Sequence, residues 1–301
     1  MNLKRIDAVI KAYRAAGAAP DDLARLDFFR GVWEIQARAA AQAGEAGRYE
    51  VPSAERLEEW YWSFTSFFSQ APVAVDARLY ARTCAEVAAY LAEGGALEPT
   101  EAEALRGTDW EALLAGSDVA LAGRDPGAFL DAAAPAGDVR AMVLSLALRP
   151  MLEPAQQACS EAVHRRAVQG YVTHEKPLRC PACGCEAAVG YVGPTEANDG
   201  NGRSLACTQC GCTWEVERIR CVRCGTRSQT KLHYVSIAGD DAHRLHRCDA
   251  CGGYLRTFFP GAMSRVAFVP EVEDVMMARL DAVAAGQGDA DQGDVPGARQ
   301  A

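Results

Sequence analysis

The sequence predicts an α+β protein of several domains: an all-α N-terminal domain, two tandem four-cysteine metal modules, and a C-terminal helix. Three observations predict it. Residues 1–170 contain no C-x-x-C pair and place apolar residues at helical spacing. Residues 171–260 hold four C-x-x-C pairs, lose the helical period and gain short β-type runs. Pro270 to Ala284 is helical again, with Val272, Val275, Met276 and Leu280 on one face. The expected boundaries are 1–170 for the helical domain, 171–216 and 217–260 for the two modules, and 261–284 for the closing helix. The Gly-, Asp- and Gln-rich tail, 285–301, is expected to be disordered.

In the helical part, Pro20-Asp21-Asp22 opens a helix with Leu26, Phe29, Trp33 and Ala37 on one face. Ser53 suits the N-cap of the next, which carries Leu57, Trp60, Tyr61, Phe64, Phe67 and Phe68. Such an aromatic stripe is mainly core packing, the alternative being a groove for a partner helix or peptide. Pro72 is read as the start of a helix that ends at Gly94-Gly95. Thr100 and Glu103 fit a capping box. Val139, Met142, Val143 and Leu146 mark a helix interrupted by Pro150, and Pro154 starts the last one, toward Gly170. An irregular bundle of six to eight helices is expected.

The cysteine pairs are Cys180/Cys183, Cys207/Cys210, Cys221/Cys224 and Cys248/Cys251, each followed by glycine. An offset of 41 positions carries the first two pairs onto the second two, since 221 − 180 = 41 and 248 − 207 = 41. Two thiolates three positions apart on a tight turn reach one metal ion, and two such turns complete a tetrahedral four-sulfur site. Glycine after the second cysteine allows positive φ and turns backbone N–H groups toward sulfur. The pairing Cys207, Cys210, Cys221 and Cys224 is the rival, but only pairing within each unit uses all eight cysteines in two like sites. The predicted strands are Val189 to Val192, Trp214 to Ile219, Leu232 to Ile237 and Tyr254 to Phe259, with a hairpin turn at Asn198 to Arg203. Zinc and iron both accept four thiolates; zinc makes the sites structural, iron makes them rubredoxin-like and redox-active.

Composition narrows the function. The chain of 301 residues carries a net charge of −9, a poor match for nucleic acid or an anionic membrane. The start, Met1 to Gly17, has no apolar signal-peptide core, and the most apolar run, Ala141 to Leu148, is too short to span a bilayer, so a cytoplasmic location is expected. A reducing cytosol also favours metal over disulfides. One basic cluster exists, Arg218, Arg220, Arg223, Arg227 and Lys231, read as counter-charge or a solvated face, the alternative being a patch for an acidic partner or nucleic acid. Cys185 and Cys212 are read as small residues beside the first site, with ligand exchange as the alternative, and Cys84 and Cys159 as buried fillers in helices. No catalytic constellation is evident; His233 is the one histidine singled out, and a structural role is the ordinary one for it.

These residues resemble a known family, the formate dehydrogenase accessory proteins of FdhE type. The resemblance rests on Cys180-Pro-Ala-Cys183-Gly184, Leu205-Ala-Cys207-Thr-Gln-Cys210, Trp214, Arg218-Ile-Arg-Cys221-Val-Arg-Cys224, Leu232-His-Tyr-Val-Ser236 and Cys248-Asp-Ala-Cys251-Gly-Gly-Tyr-Leu-Arg256, with Pro270-Glu-Val-Glu-Asp-Val275 as the closing helix. It implies a helical N-terminal domain, then two rubredoxin-like modules, with iron as a metal of the family. It implies a cytoplasmic maturation factor without catalytic activity that serves the molybdenum-bearing catalytic subunit of a respiratory formate dehydrogenase. The implied ligands are the eight paired cysteines, and Cys185 stands where a small non-ligand residue is expected. Two rival functions remain: a zinc-ribbon nucleic-acid binder acting through Arg218 to Lys231, and a stand-alone rubredoxin-like electron carrier.

Overall fold

The computed structural model describes residues 1–46, 49–135, 137–169, 175–195, 198–260 and 267–286. Among these, ten helices precede the sheet: α1 (Leu3–Ala15), α2 (Pro20–Ala46), α3 (Ala54–Trp62), α4 (Phe67–Gln70), α5 (Ala77–Glu93), α6 (Pro99–Arg106), α7 (Trp110–Ala115), α8 (Val119–Arg124), α9 (Pro126–Ala133) and α10 (Val139–Gln169). That is more than the six to eight expected. The additional elements α7, α8 and α9 each begin on an aspartate, Asp109, Asp118 or Asp125, whose carboxylate accepts an N–H of the first turn.

Ser53 caps α3 as expected, accepting from the Arg56 N–H at 3.4 Å. The aromatic stripe, however, is not one helix. The chain breaks after Trp62, and Phe64 takes φ +58°, a left-handed conformation that disfavours a bulky residue. Tyr61, Phe67 and Phe68 are buried in the core, while Phe64 is 54% exposed. Pro72 does not open a helix; α5 starts at Ala77, where Asp76 accepts from the N–H groups of Arg78 and Leu79. Gly94 ends it, with Gly95 at φ +70°. The capping box of α6 is formed by Glu98 and Glu101 rather than Thr100 and Glu103, because Pro99 occupies the first helical position.

The largest departure is α10, which runs unbroken through Pro150 and Pro154. A proline inside a helix lacks the N–H that the carbonyl four residues earlier needs. For Pro150 that carbonyl is Leu146, and the buried side chain of Gln36, on α2, donates to it at 2.8 Å. A residue distant in sequence thus replaces the missing donor.

Among the described residues six strands follow: β1 (Val189–Thr195), β2 (Asn198–Ala206), β3 (Thr213–Val216), β4 (Leu232–Ser236), β5 (His243–Cys248) and β6 (Tyr254–Phe258). They form one sheet in the order β3-β2-β1-β6-β5-β4. Neighbours are antiparallel except β1 and β6, which pair in parallel with Val189 opposite Arg256. The 41-residue offset that relates the cysteine pairs also carries β1 onto β4, β2 onto β5 and β3 onto β6. The β1–β2 hairpin forms, but Asn198 to Arg203 lies on its second strand, and Thr195 opposite Asn198 places the turn earlier. β3 stops at Val216, short of the expected Ile219.

The closing segment is two short helices, α11 (Pro270–Met276) and α12 (Ala278–Ala284), broken at Met277. α1 and α11 pack together through Ile6, Val9, Tyr13, Val272 and Met276, while Leu280 and Val283 of α12 cover Val189, Ala206 and Leu245 of the sheet. Residues 287–301, most of the segment read as a disordered tail, lie outside the described residues. Among the described residues, no helix is long and apolar enough to cross a membrane.

Candidate metal centres

Each C-x-x-C-G stretch closes the same turn. The N–H groups of Gly184, Gly211, Gly225 and Gly252 donate to the carbonyls of Cys180, Cys207, Cys221 and Cys248 at 2.8 to 3.0 Å. All four glycines have positive φ, from +72° to +81°, as the sequence required. A second bond fixes the base of each turn: Cys180 N–H to Cys185 O, Cys207 to Cys212, Cys221 to Thr226 and Cys248 to Gly253. N–H groups also turn toward sulfur, from Arg223 and Cys224 to Cys221 Sγ at 3.4 and 3.5 Å, and from Gly253 to Cys251 Sγ at 3.4 Å.

The turns come together within each unit. Cys180, Cys183, Cys207 and Cys210 form one cluster, and Cys221, Cys224, Cys248 and Cys251 the other, with all four sulfurs of each inside 4.8 Å of one another. The rival grouping of Cys207 and Cys210 with Cys221 and Cys224 does not form. Cys180 Sγ lies 3.5 Å from Cys210 Sγ, and Cys183 Sγ 3.6 Å from Cys207 Sγ. The second cluster repeats this at 3.8 Å for both Cys221–Cys251 and Cys224–Cys248. A tetrahedron with metal–sulfur bonds of about 2.3 Å has edges of about 3.8 Å, whereas a disulfide needs about 2.0 Å. Both donor sets therefore fit a tetrahedral thiophilic ion. The protonation pattern agrees. Burial raises the Cys180 thiol, but hydrogen bonds from neighbouring thiols hold it down to about 6; contacts with Cys180 and Cys183 hold Cys207 down too. Hydrogen bonding to Cys180 pushes Cys183 up, and burial does the same to Cys210. Four packed sulfurs cannot all be anionic without a cation.

The clusters differ in surroundings. All four sulfur residues of the first are buried, because two helices clamp its turns. The N–H groups of Phe67 and Phe68, starting α4, donate to the carbonyls of Pro181 and Ala182 at 2.9 Å. From α10, Arg149 donates to the Thr208 carbonyl at 3.0 Å, and Ser145 to Gln209 Oε1 at 2.9 Å. In the second cluster Cys221 and Cys248 are buried but Cys224 and Cys251 are exposed.

Cys185 and Cys212 sit at the base of the first cluster's turns, where the second has Thr226 and Gly253 in the same backbone bonds, so the turn itself does not require a thiol there. Cys84 and Cys159 are fully buried in α5 and α10, and burial pushes the Cys159 thiol up to about 11. Of the basic cluster, Arg220 pairs with Glu175 and Glu217, Arg227 with the same two glutamates, and Arg223 with Glu186. His233 is exposed and meets Asp249, in the turn of the fourth cysteine pair, at 2.7 Å. The sequence reading missed a buried joint between α1, β5 and α11. Tyr13 donates to Glu273 at 2.7 Å, and His243 bridges Glu273 at 3.0 Å and Asp240 at 2.9 Å. Tyr13 stands 230 positions from His243 and 260 from Glu273, so no local motif announces the joint.

Between α3–α4 and the first cysteine turn runs a groove of about 490 Å³. Phe64, Ser66, Leu178, Arg179, Gly184 and Arg223 are among its lining residues.

A helical body carrying two tandem four-cysteine centres, able to hold metal ions, on one continuous sheet is the class of protein these features define. The resemblance to the FdhE-type accessory proteins is supported by comparison with known proteins. The chain is 34% identical over 117 residues to an FdhE homologue of Pseudomonas putida, a match covering 36% of this chain and 35% of that protein. It is 30% identical over 117 residues to an FdhE homologue of Aquifex aeolicus, covering 38% and 40%, and 31% identical over 111 residues to FdhE of Escherichia coli, covering 36% and 33%. The matched stretch thus spans about a third of the length of these relatives. Over almost the whole chain the fold is that of the crystal structure of FdhE from Pseudomonas aeruginosa, with a TM-score of 0.52, 21% identity, and coverage of 94% of this chain and 90% of that one. No protein-family profile matches the chain.

Proposed function

We propose that this protein is a cytoplasmic accessory factor for maturation of a respiratory formate dehydrogenase, acting by binding the enzyme's catalytic subunit rather than by catalysis of its own. The single observation that carries the reading is the pair of preformed four-sulfur clusters set in the fold of a protein named FdhE. Cys180, Cys183, Cys207 and Cys210 hold one metal ion, and Cys221, Cys224, Cys248 and Cys251 a second, each iron or zinc. Bound zinc supplies rigidity; bound iron adds one-electron chemistry. The domain division at residues 170, 216 and 260 belongs to the same reading, with the first module packed into the helical core. The groove beside the first turn is the surface we assign to the partner, because Phe64, in the left-handed position that closes α3, holds an exposed aromatic ring there. The neutralisation of Arg220, Arg223 and Arg227 by glutamates favours this reading over a nucleic-acid binder.

The test is affinity capture with the tagged full chain from cells producing a formate dehydrogenase. Recovery of the catalytic subunit is expected. Its consistent absence, with the tagged protein folded and metal-loaded, overturns the proposal.

A further inference from the structure

We propose that Arg203 is the buried counter-cation of the second four-cysteine centre, placed to stabilise the negative charge of a metal–tetrathiolate complex; this rests on the metal-holding reading above. Arg203 lies on β2, in the first unit, opposite Val192 and Val216. Its side chain crosses to the second unit. Nη1 donates to the carbonyl of Arg220, the residue just before Cys221, at 2.7 Å. The residue is 1% exposed, and among the described residues its Nε and Nη2 have no hydrogen-bond partner.

Other buried guanidinium groups meet carboxylates: Arg149 meets Glu153 and Glu271, and Arg220 meets Glu175 and Glu217. Among the described residues no carboxylate pairs with Arg203. His246 nearby, stacked on Tyr234 at 4.8 Å, offers no negative charge; burial and the charge of Arg203 keep it neutral. A buried cation with two idle donors is strongly unfavourable unless an anion compensates it. The groups whose negative charge would favour the guanidinium are Tyr234 and Cys221, and of these Cys221 is a ligand of the second centre, one residue beyond the carbonyl that Nη1 holds. Four thiolates around a divalent ion carry a net charge of −2, and the low dielectric of the interior lengthens the reach of that charge. The buried guanidinium beside the first centre, Arg149, is by contrast already neutralised by two glutamates. The two centres, alike in ligands, are therefore unlike in electrostatics.

The consequence is readable with iron. One electron from dithionite converts a ferric centre of net charge −1 to a ferrous one of −2, with no bond made or broken. Arg203 favours the reduced form at the second centre only. The full chain, loaded with iron without oxygen, is titrated potentiometrically through its thiolate-to-iron absorption. In Arg203→Gln, which keeps a donor for the Arg220 carbonyl and loses the charge, one of two waves should fall by a tenfold or larger change in the ferrous/ferric ratio, 59 mV for one electron. That wave should be the one lost in Cys224→Ser, and Arg203→Lys should hold it near its original potential. Unmoved waves in Arg203→Gln, or an equal fall in Arg203→Lys, overturn the proposal. If Arg203→Gln does not fold, Arg203→Met, an apolar chain of similar length, carries the same test. Failure to take up two ions of either iron or zinc would remove the metal-holding reading itself, and the counter-cation role with it. Two irons with unshifted potentials would overturn the role of Arg203 alone.

Discussion

Helix α10 should depend on one amide from a different part of the chain. Pro150 has no N–H, so the Leu146 carbonyl takes its hydrogen bond from Gln36, 2% exposed, at 2.8 Å. Gln36→Met keeps the length of the side chain and removes the donor. A buried carbonyl left without a donor costs about 1–3 kcal/mol. Leu146 is only partly buried, which places the expected loss at about 1–2 kcal/mol. Pro150→Ala gives the helix back its own N–H. In that background the carbonyl is satisfied locally, and Gln36→Met should cost less than half as much. The difference, about 1 kcal/mol, exceeds the roughly 0.3–0.5 kcal/mol within which independent sites add. Urea unfolding of the four proteins of this cycle, followed by far-ultraviolet circular dichroism, measures it. Equal costs of Gln36→Met in the two backgrounds would refute the idea that the α2 side chain is what lets α10 run through its proline.

Burial opposes the charge on His243, but Asp240 and Glu273 outweigh it and push its pKa from 6.5 up to about 9. The resulting stability, on the order of 3 kcal/mol, is fully present below pH 6.5 and lost as pH rises through 9, so His243→Asn should flatten the fall in urea midpoint over that window; an unchanged slope rules this out. From the metal-loaded protein, a strong chelator should remove ions in two phases, faster from the cluster whose Cys224 and Cys251 are exposed, and Cys224→Ser should abolish the fast phase. A single phase, or loss of the slow one, contradicts the difference in burial. Phe64→Asn suits the positive φ and removes the exposed ring, so it should leave the melting temperature unchanged or raised while weakening capture of the catalytic subunit. Unweakened capture takes the groove out of the interface.

What was legible in the sequence was what is local. Cysteine spacing, the following glycines and the 41-residue offset specify turns a few residues long, and those turns recur in the fold with the same hydrogen bonds. Four of the six strands and the Ser53 cap are local in the same sense. Pro150 was misread because the remedy for its missing N–H is Gln36, 110 positions away. Phe64 was misread because an aromatic stripe at helical spacing does not reveal a left-handed residue within it. The short helices α7 to α9 did carry a signal, an aspartate before each first turn, that alanine-rich surroundings hid. Nothing local distinguishes Arg203, which is buried only because two units of the chain meet over it.

The parallel junction of β1 with β6 has a consequence in symmetry. The duplicated units are related by translation along the sheet, not by a two-fold axis, so the contact between them is head-to-tail. A two-fold contact would use the same edge of both units and close. Head-to-tail pairing closes nothing: the outer edge of β4 corresponds to the edge of β1 that is occupied, and the outer edge of β3 to that of β6. Each end of the sheet therefore matches the other end of a second molecule, the arrangement from which open filaments grow. The strands at the two ends are the ones that discourage it. β3 is four residues long and lies against α10. β4 has five residues and begins beside the exposed Lys231, a charge of the kind that blunts free edges. Duplication supplied a second four-cysteine cluster and, with it, an unfinished polymer that the helical body and a few polar side chains hold at two repeats.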